Sequence, residues 1–130
     1  MYHFLRTVAG VDESFAVFSG EDTLLPVHLA AGAKGGIVVT ASLLPSAWKK
    51  VVSLALEGRT SESMALHRRL IPLMNLAFAE TNPGPMKSVM DLIGVNAPEV
   101  LDPLVAPAEE LQAALRKELV PLLEEFEGVK

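Results

Sequence analysis

The chain has 130 residues, the size of one ordinary domain. Half of its residues are hydrophobic and its mean hydropathy is +0.35, so we expect part of the apolar surplus to face a partner. Its net charge is −5, and its basic residues cluster no further than the pairs Lys49-Lys50 and Arg68-Arg69. This charge pattern argues against a nucleic-acid partner.

The absence of cysteine excludes disulfides, thiolate metal sites and a cysteine nucleophile. The three histidines, His3, His28 and His67, have no ligand spacing, so we expect no metal. The stretch "MYHFLRTVAGVDESF" at residues 1–15 lacks the pattern of a signal peptide, and no run of about 18 apolar residues predicts a membrane span. We therefore expect a cytoplasmic protein with no membrane partner.

The first third of the chain predicts one parallel βαβ unit after a short helix. The predicted elements are a helix over Tyr2–Val8 ended by Gly10, a buried strand over Phe15–Phe18, a loop over Ser19–Asp22, a helix capped by Thr23 and ended by Gly32, and a strand over Gly35–Ala41. A right-handed crossover would make the two strands parallel neighbours.

Helices are predicted for most of the remaining chain. We expect one over Pro45–Glu57, a second capped by Thr60 and kinked at Pro72, a short one ending at Gly94, and a last one beginning near Pro107. Trp48 is expected in the core, and Lys87 is expected to bind helix-end carbonyls or a carboxylate.

Three stretches, in this order and spacing, resemble a known family. They are "FAVFSGEDTLLPVHLAAGAKGGIVVTA" at 15–41, "ALEG" at 55–58 and "LHRRLIPLMNLAFAETNPGPMKSVMDLIGV" at 66–95. Together they resemble the C-terminal part of the dihydrodipicolinate synthase and N-acetylneuraminate lyase family of class I aldolases. The "NPGPMK" motif at 82–87 favours the synthase branch.

The resemblance implies an α/β fragment that is mainly helical. Residues 1–57 would supply the last two strands of a (β/α)8 barrel with their helices, and residues 58–130 would form the helical extension that follows the barrel. Family members are typically much longer, so we expect a fragment, a truncated gene product or one piece of a split enzyme.

The resemblance also implies the chemistry of the parent enzyme. A lysine on the sixth strand forms a Schiff base with pyruvate, which in the synthases condenses with aspartate semialdehyde in lysine biosynthesis, and no separate cofactor is needed. That lysine would lie upstream of Met1, and none of the six lysines here falls on a predicted strand. We therefore expect no catalytic residue in this chain and no activity from it alone.

Three residues map onto the substrate-binding rim by resemblance: Gly20, Glu21 and Ile37. Glu21 replaces an aspartate near the second substrate, and Ser42 stands where the synthases usually have asparagine, so substrate choice stays open. On the residues alone, a simple turn and helix start over Ser19–Asp22 is the competing interpretation.

Three hypotheses for function follow from these observations. The chain is an inactive fragment of a pyruvate-dependent lyase, one chain of a split aldolase of the same family (a synthase, an N-acetylneuraminate lyase or a keto-deoxy sugar acid aldolase), or a non-catalytic interaction module. The expected partners are a second copy of the chain or an upstream barrel piece. A pyruvate-type substrate is expected only when the rest of the barrel is present.

Overall fold

The computed structural model describes residues 1–96 and 98–129, which form a mainly helical chain with one small parallel sheet. This confirms the predicted helical content and the single parallel βαβ unit. In chain order the elements are α1 (Tyr2–Ala9), β1 (Phe18–Ser19), α2 (Leu25–Ala30), β2 (Gly35–Gly36), α3 (Pro45–Leu56), α4 (Thr60–Ala77), α5 (Gly84–Lys87) and α6 (Glu109–Phe126). Short 3-10 helices cover Asp22–Leu24, Val39–Ser42 and Met90–Ile93.

Strand β1 is shorter than predicted and starts later. Phe18 pairs with Gly35 and Ser19 with Gly36. The prediction of a buried strand over Phe15–Phe18 was wrong, because Asp12 accepts hydrogen bonds from the amide and hydroxyl of Ser14 and holds this segment in a turn. Phe15 is 61% exposed as a result.

Strand β2 also ends sooner than the predicted span Gly35–Ala41. After Gly36 the chain makes one more cross-strand bond, from the Ile37 amide to the Ser19 carbonyl at 2.7 Å. It then turns into the 3-10 helix, because the carboxylate of Asp22 accepts from the backbone amides of Val39 and Thr40. A side chain therefore takes the donors that a longer strand would have used.

Two predicted helix caps were wrong by one or two residues. Glu21, not Thr23, caps the turn that leads into α2, with its side chain accepting from the Thr23 amide. Thr60 is the first residue of α4 and Arg59 occupies the cap position. By contrast, α1 ends at Gly10 and α3 starts with Pro45 and ends before Gly58, as predicted.

Helices α4 and α6 both continue through an internal proline. Pro72 lies inside α4 and Pro121 inside α6. The "NPGPMK" segment and its continuation form the two short helices α5 and Met90–Ile93, followed by Gly94 with a φ of 81°. We predicted one short helix ending at Gly94. The structure ends the helical segment at Gly94 but divides it into two short helices.

One hydrophobic core joins the helices to the sheet. Helix α4 packs on α3 and α6, and its Leu70 and Leu73 are fully buried. Trp48 of α3 is 3% exposed, which confirms the prediction that it belongs to the core. The core contains residues from before and after residue 57, so α4 is packed directly behind the βαβ unit.

Helix α2 lies close behind β2 at Gly36. A Cβ atom at Gly36 would come within 2.6 Å of Leu25 Cδ1 and 3.3 Å of the Ser19 carbonyl oxygen. Leu25 is 1% exposed and has little freedom to move aside. Gly36 therefore permits the close approach of helix and strand.

Candidate functional site

The predicted rim residues lie just beyond the C-terminal ends of the two strands. Gly20 and Glu21 follow β1, and Ile37 follows β2. The hydrogen bond between the Ile37 amide and the Ser19 carbonyl puts the two loops side by side. In parallel α/β folds this edge of the sheet is where functional loops gather.

Gly20 and Glu21 share a cavity of about 520 Å³, and Ile37 lines a neighbouring one of about 350 Å³. Helix α4 contributes Met74 and Asn75 to the first cavity, whereas the "NPGPMK" segment contributes to the second. Val39 lines both cavities. The structure thus places the three rim residues on adjoining concave surfaces, with Ile37 separated from the other two by Val39.

The Glu21 side chain is turned back onto its own loop. Its Oε1 accepts from the Thr23 hydroxyl at 2.8 Å and from the Thr23 amide at 3.4 Å. Gly20 is exposed, and a Cβ there would meet nothing within 4 Å. Ile37 is 79% exposed. The rim is therefore an open surface with one carboxylate held in place by a neighbouring hydroxyl.

Asp22 is the residue of this region that the sequence analysis missed. It is 1% exposed, and its carboxylate accepts three hydrogen bonds from the loop after β2. These come from the Val39 amide at 2.9 Å, the Thr40 amide at 2.9 Å and the Thr40 hydroxyl at 2.6 Å. A polar Thr40 inside the apolar run "GIVVTA" was the available signal.

Two aromatic side chains from the helices extend this network. The indole Nε1–H of Trp48 donates to Thr40 Oγ1 at 2.9 Å, and His67 Nε2 pairs with the Asp22 carbonyl at 2.9 Å. Because a carbonyl only accepts, the His67 proton lies on Nε2. The His67 and Trp48 rings pack edge to face with centroids 5.8 Å apart. Helix α3 therefore holds the loop after β2 at Thr40, and α4 holds the loop after β1 at Asp22.

His28 supports the rim from the α2 side. Its Nδ1 lies 2.7 Å from Ser19 Oγ, and its ring stacks on Phe4 with centroids 4.0 Å apart. Burial lowers the pKa of His28, with a further contribution from the positive amino terminus, while the Glu21 carboxylate opposes the shift. His28 is therefore favoured as the neutral imidazole.

The described lysines all lie outside the two strands. Lys34, Lys49, Lys50 and Lys117 are exposed, and Lys87 is half-buried with its ammonium donating to the Glu99 carbonyl. The prediction for Lys87 was right about a carbonyl partner, but this carbonyl lies in the irregular connection before α6 and not at a helix end.

Over residues 1–96 and 98–129, no cluster of three potential metal-ligating side chains is found. In the same part of the chain, none of the helices combines the length and the apolar character that crossing a bilayer requires.

Comparison with known proteins decides the family. A sequence model described as the dihydrodipicolinate synthetase family matches residues 1–121. The chain belongs to the dihydrodipicolinate synthetase family. This confirms the resemblance inferred from residues 15–41, 55–58 and 66–95.

Two similar relatives carry the synthase name. The chain is 38% identical over 111 residues to the 4-hydroxy-tetrahydrodipicolinate synthase of Methanothrix thermoacetophila, covering 85% of this chain and 38% of that protein. It is 38% identical over 119 residues to the enzyme of the same name from Prochlorococcus marinus, covering 92% of this chain and 37% of that protein. The chain therefore spans less than half the length of these members of the dihydrodipicolinate synthetase family.

Solved structures of the family share the fold. The dihydrodipicolinate synthase of Aquifex aeolicus superimposes with a TM-score of 0.84 at 32% identity, covering 97% of this chain and 41% of that one. The synthase of Methylacidiphilum fumariolicum does so with a TM-score of 0.86 at 29% identity, covering 98% and 44%. A structure described as the first monomeric dihydrodipicolinate synthase variant matches with a TM-score of 0.85 at 32% identity, covering 99% and 42%.

Proposed function

We propose that the chain forms the last two strands and the helical extension of a (β/α)8 barrel of the dihydrodipicolinate synthase type. Residues 1–57 are the barrel part and residues 58–130 the extension. The parallel β1–α2–β2 unit, followed by α3 and then, within the described residues, by helices alone, supports this assignment. The structural match supports it too, because it covers about two fifths of the length of each solved synthase chain.

The observation that carries the proposal is the incomplete sheet. Parallel sheets are normally covered on both faces and have more than two strands. Here the described sheet has two strands, and Phe18 in β1 and Ile37 directly after β2 are 52% and 79% exposed. An upstream barrel segment that paired with the outer strand edges would cover these side chains.

The proposed reaction is the condensation of pyruvate with aspartate semialdehyde through a lysine Schiff base. It requires an amine that is partly neutral near pH 7, which means that burial has to lower a lysine pKa from about 10.4 by a few units. The described lysines are on exposed or half-exposed positions outside the strands. We infer that the lysine is supplied by the upstream segment and that this chain alone is inactive.

In the assembled barrel, Gly20, Glu21 and Ile37 form one wall of the substrate pocket. Gly20 leaves room for the substrate, and the Ile37 backbone carbonyl faces pyruvate. The Glu21 carboxylate lies near the second substrate and reaches further than the family aspartate. Their positions beyond the strand ends support these roles. Glu21 and Ser42 are the positions from which we expect a difference in substrate choice.

Borohydride trapping tests the proposal. This chain is incubated with pyruvate and sodium borohydride, alone and together with the upstream segment of the Methanothrix relative, that is, the part preceding the matched region. Intact mass measurement should show a pyruvyl adduct on the upstream segment in the mixture and none on this chain. The matched control is the upstream segment with its Schiff-base lysine changed to arginine, which should show no adduct.

Two outcomes would contradict the proposal. A stoichiometric adduct on this chain alone would show that it carries its own nucleophile, and Lys87 would be the first to examine. A stable complex of the two pieces without any adduct would argue for a non-catalytic interaction module, the other function compatible with the exposed apolar side chains.

A further inference from the structure

Asp22 joins the two loops that carry the rim residues. It directly follows Glu21 in the chain, while Val39 and Thr40, which donate to its carboxylate, lie two and three residues after Ile37. The three hydrogen bonds span 17 and 18 residues of sequence. They are therefore a direct link between the loop after β1 and the loop after β2.

The buried carboxylate of Asp22 requires its hydrogen-bond donors to stay in place. The carboxylate is buried, and in the described part of the chain no lysine or arginine forms an ion pair with it. Its desolvation is offset by hydrogen bonds from Val39 and Thr40, so a shift of their loop would leave a buried anion without partners. The loop after β2 is thereby held at one position relative to Asp22.

The link is anchored on both sides by the helices behind it. Trp48 of α3 donates to the Thr40 hydroxyl, and His67 of α4 donates to the Asp22 carbonyl. Thr40 is 0% exposed and His67 is 2% exposed, so water does not compete for these hydrogen bonds. A hydroxyl at position 40 is required to accept from the indole and donate to the carboxylate at the same time.

We propose that Asp22 is a positioning residue, which through Thr40 fixes the spacing between Glu21 and Ile37. Its carboxylate is bound by Val39 and Thr40, so it acts through the loop after β2. Its effect is to hold the carboxylate of Glu21 and the backbone at Ile37 at the separation that the two substrates need, a role that rests on the proposed function. The link itself exists in the isolated chain and is tested there first.

The first experiment measures amide hydrogen exchange by NMR in the isolated chain. Thr40→Val removes the hydroxyl and keeps the size, whereas Thr40→Ser keeps the hydroxyl. We expect the backbone amides of residues 39 and 40 to exchange about tenfold faster in Thr40→Val. In Thr40→Ser they should exchange near the wild-type rate. The amide resonances of Glu21 and Ile37 should shift in Thr40→Val and return in Thr40→Ser, while the exchange of Leu70 stays unchanged.

Unchanged exchange and unchanged Glu21 and Ile37 resonances in Thr40→Val would overturn the proposal. Faster exchange at Leu70 as well would mean general destabilisation. In that case Asp22→Asn decides, because it keeps the side-chain volume and puts an amide donor in place of one acceptor oxygen. Local acceleration at Val39 and Thr40 in Asp22→Asn would support the link, and its absence would overturn it.

The second experiment uses the chain assembled with the upstream segment. With Thr40→Val we expect the KM for aspartate semialdehyde to rise about tenfold, with the pyruvyl adduct formed as in wild type, and Thr40→Ser to restore the KM. An equal loss in kcat, in apparent affinity for aspartate semialdehyde and in adduct formation would indicate a merely structural role and overturn the proposal. If the wild-type assembly forms no adduct, the proposed function fails, and the exchange data alone decide on the link.

Discussion

The Glu127 carboxylate caps the N-terminus of α3 at Ser46, 81 residues away in sequence. Glu127 Oε1 accepts from the Ser46 amide at 2.8 Å and Oε2 from the Ser46 hydroxyl at 2.7 Å. Helix α3 begins with Pro45 and has no side-chain cap of its own. The residue directly after α6 therefore supplies an acceptor to one of the free donors at the start of α3.

Removing this remote cap should destabilise the fold. We expect Glu127→Ala, which removes both acceptor oxygens, to lower the free energy of unfolding by about 1 kcal/mol, in the range of lost helix caps. Urea unfolding followed by circular dichroism measures it. Glu124→Ala is the matched control, since Glu124 is an exposed carboxylate near the same helix end. Equal effects of the two substitutions would show that charge alone, and not the cap, is responsible.

The packing of α4 predicts a large effect at Leu70. This side chain is 0% exposed, so Leu70→Ala should cost about 3 kcal/mol through lost burial and a cavity. Leu101→Ala is the control, because Leu101 is 86% exposed and its truncation should change stability by less than about 0.5 kcal/mol. Thermal unfolding of both variants compares them, and a similar loss in both would contradict the described core.

Stability should fall as the pH is lowered through the titration of His28. Burial lowers the pKa of His28 below its ordinary value of 6.5, so the unfolded chain binds the proton more readily than the folded one. Above pH 6.5 the contribution of His28 to the free energy of unfolding is fully present. It decreases as the pH falls from 6.5 to the lower pKa of the folded state, and then stays constant.

Urea unfolding at several pH values between 7.5 and 5 measures this effect. In His28→Gln the decline of stability over this range should become shallower than in wild type. The slope is compared and not the absolute stability, since Gln also loses the stacking on Phe4. Parallel slopes for wild type and His28→Gln would contradict the prediction.

The exposed apolar side chains beside the sheet predict self-association of the isolated chain. Phe18 lies in β1 and Ile37 directly follows β2, and the outer edges of both strands are unpaired in the described residues. We expect a homo-oligomer by multi-angle light scattering and a shift toward monomer in Ile37→Lys. Leu56→Lys, at a 59% exposed position at the end of α3, should leave the oligomer intact. A wild-type monomer at high concentration would rule the prediction out.

The helices were predictable because their signals are local. Pro45 at the start of α3 and Gly58 after its end can be recognised from conformational preferences alone. The apolar residues of α6 also follow a helical spacing, and of Leu111, Leu115, Leu119, Leu122 and Phe126 the middle three are buried and the outer two are half-buried. In these segments the sequence pattern and the tertiary structure agree.

The strand limits could not be predicted because a long-range contact sets them. "GIVVTA" has strong β propensity, yet Asp22 takes the amides of Val39 and Thr40 and shapes that segment into a 3-10 helix. Nothing adjacent in sequence indicates this partner. The rim positions came from family resemblance, and the link between them became visible only when side-chain contacts were known.

The close approach of Leu25 and Gly36 links the choice of residue at two positions 11 apart in the chain. With Leu at 25, any side chain at 36 meets Cδ1 of that leucine. A smaller residue at 25 would free the space, so Gly36→Ala should be tolerated better in a Leu25→Ala background than in wild type. Across related sequences, residue size at these two positions should therefore vary in opposite directions, a covariation that originates behind the sheet and not at the proposed substrate-binding residues.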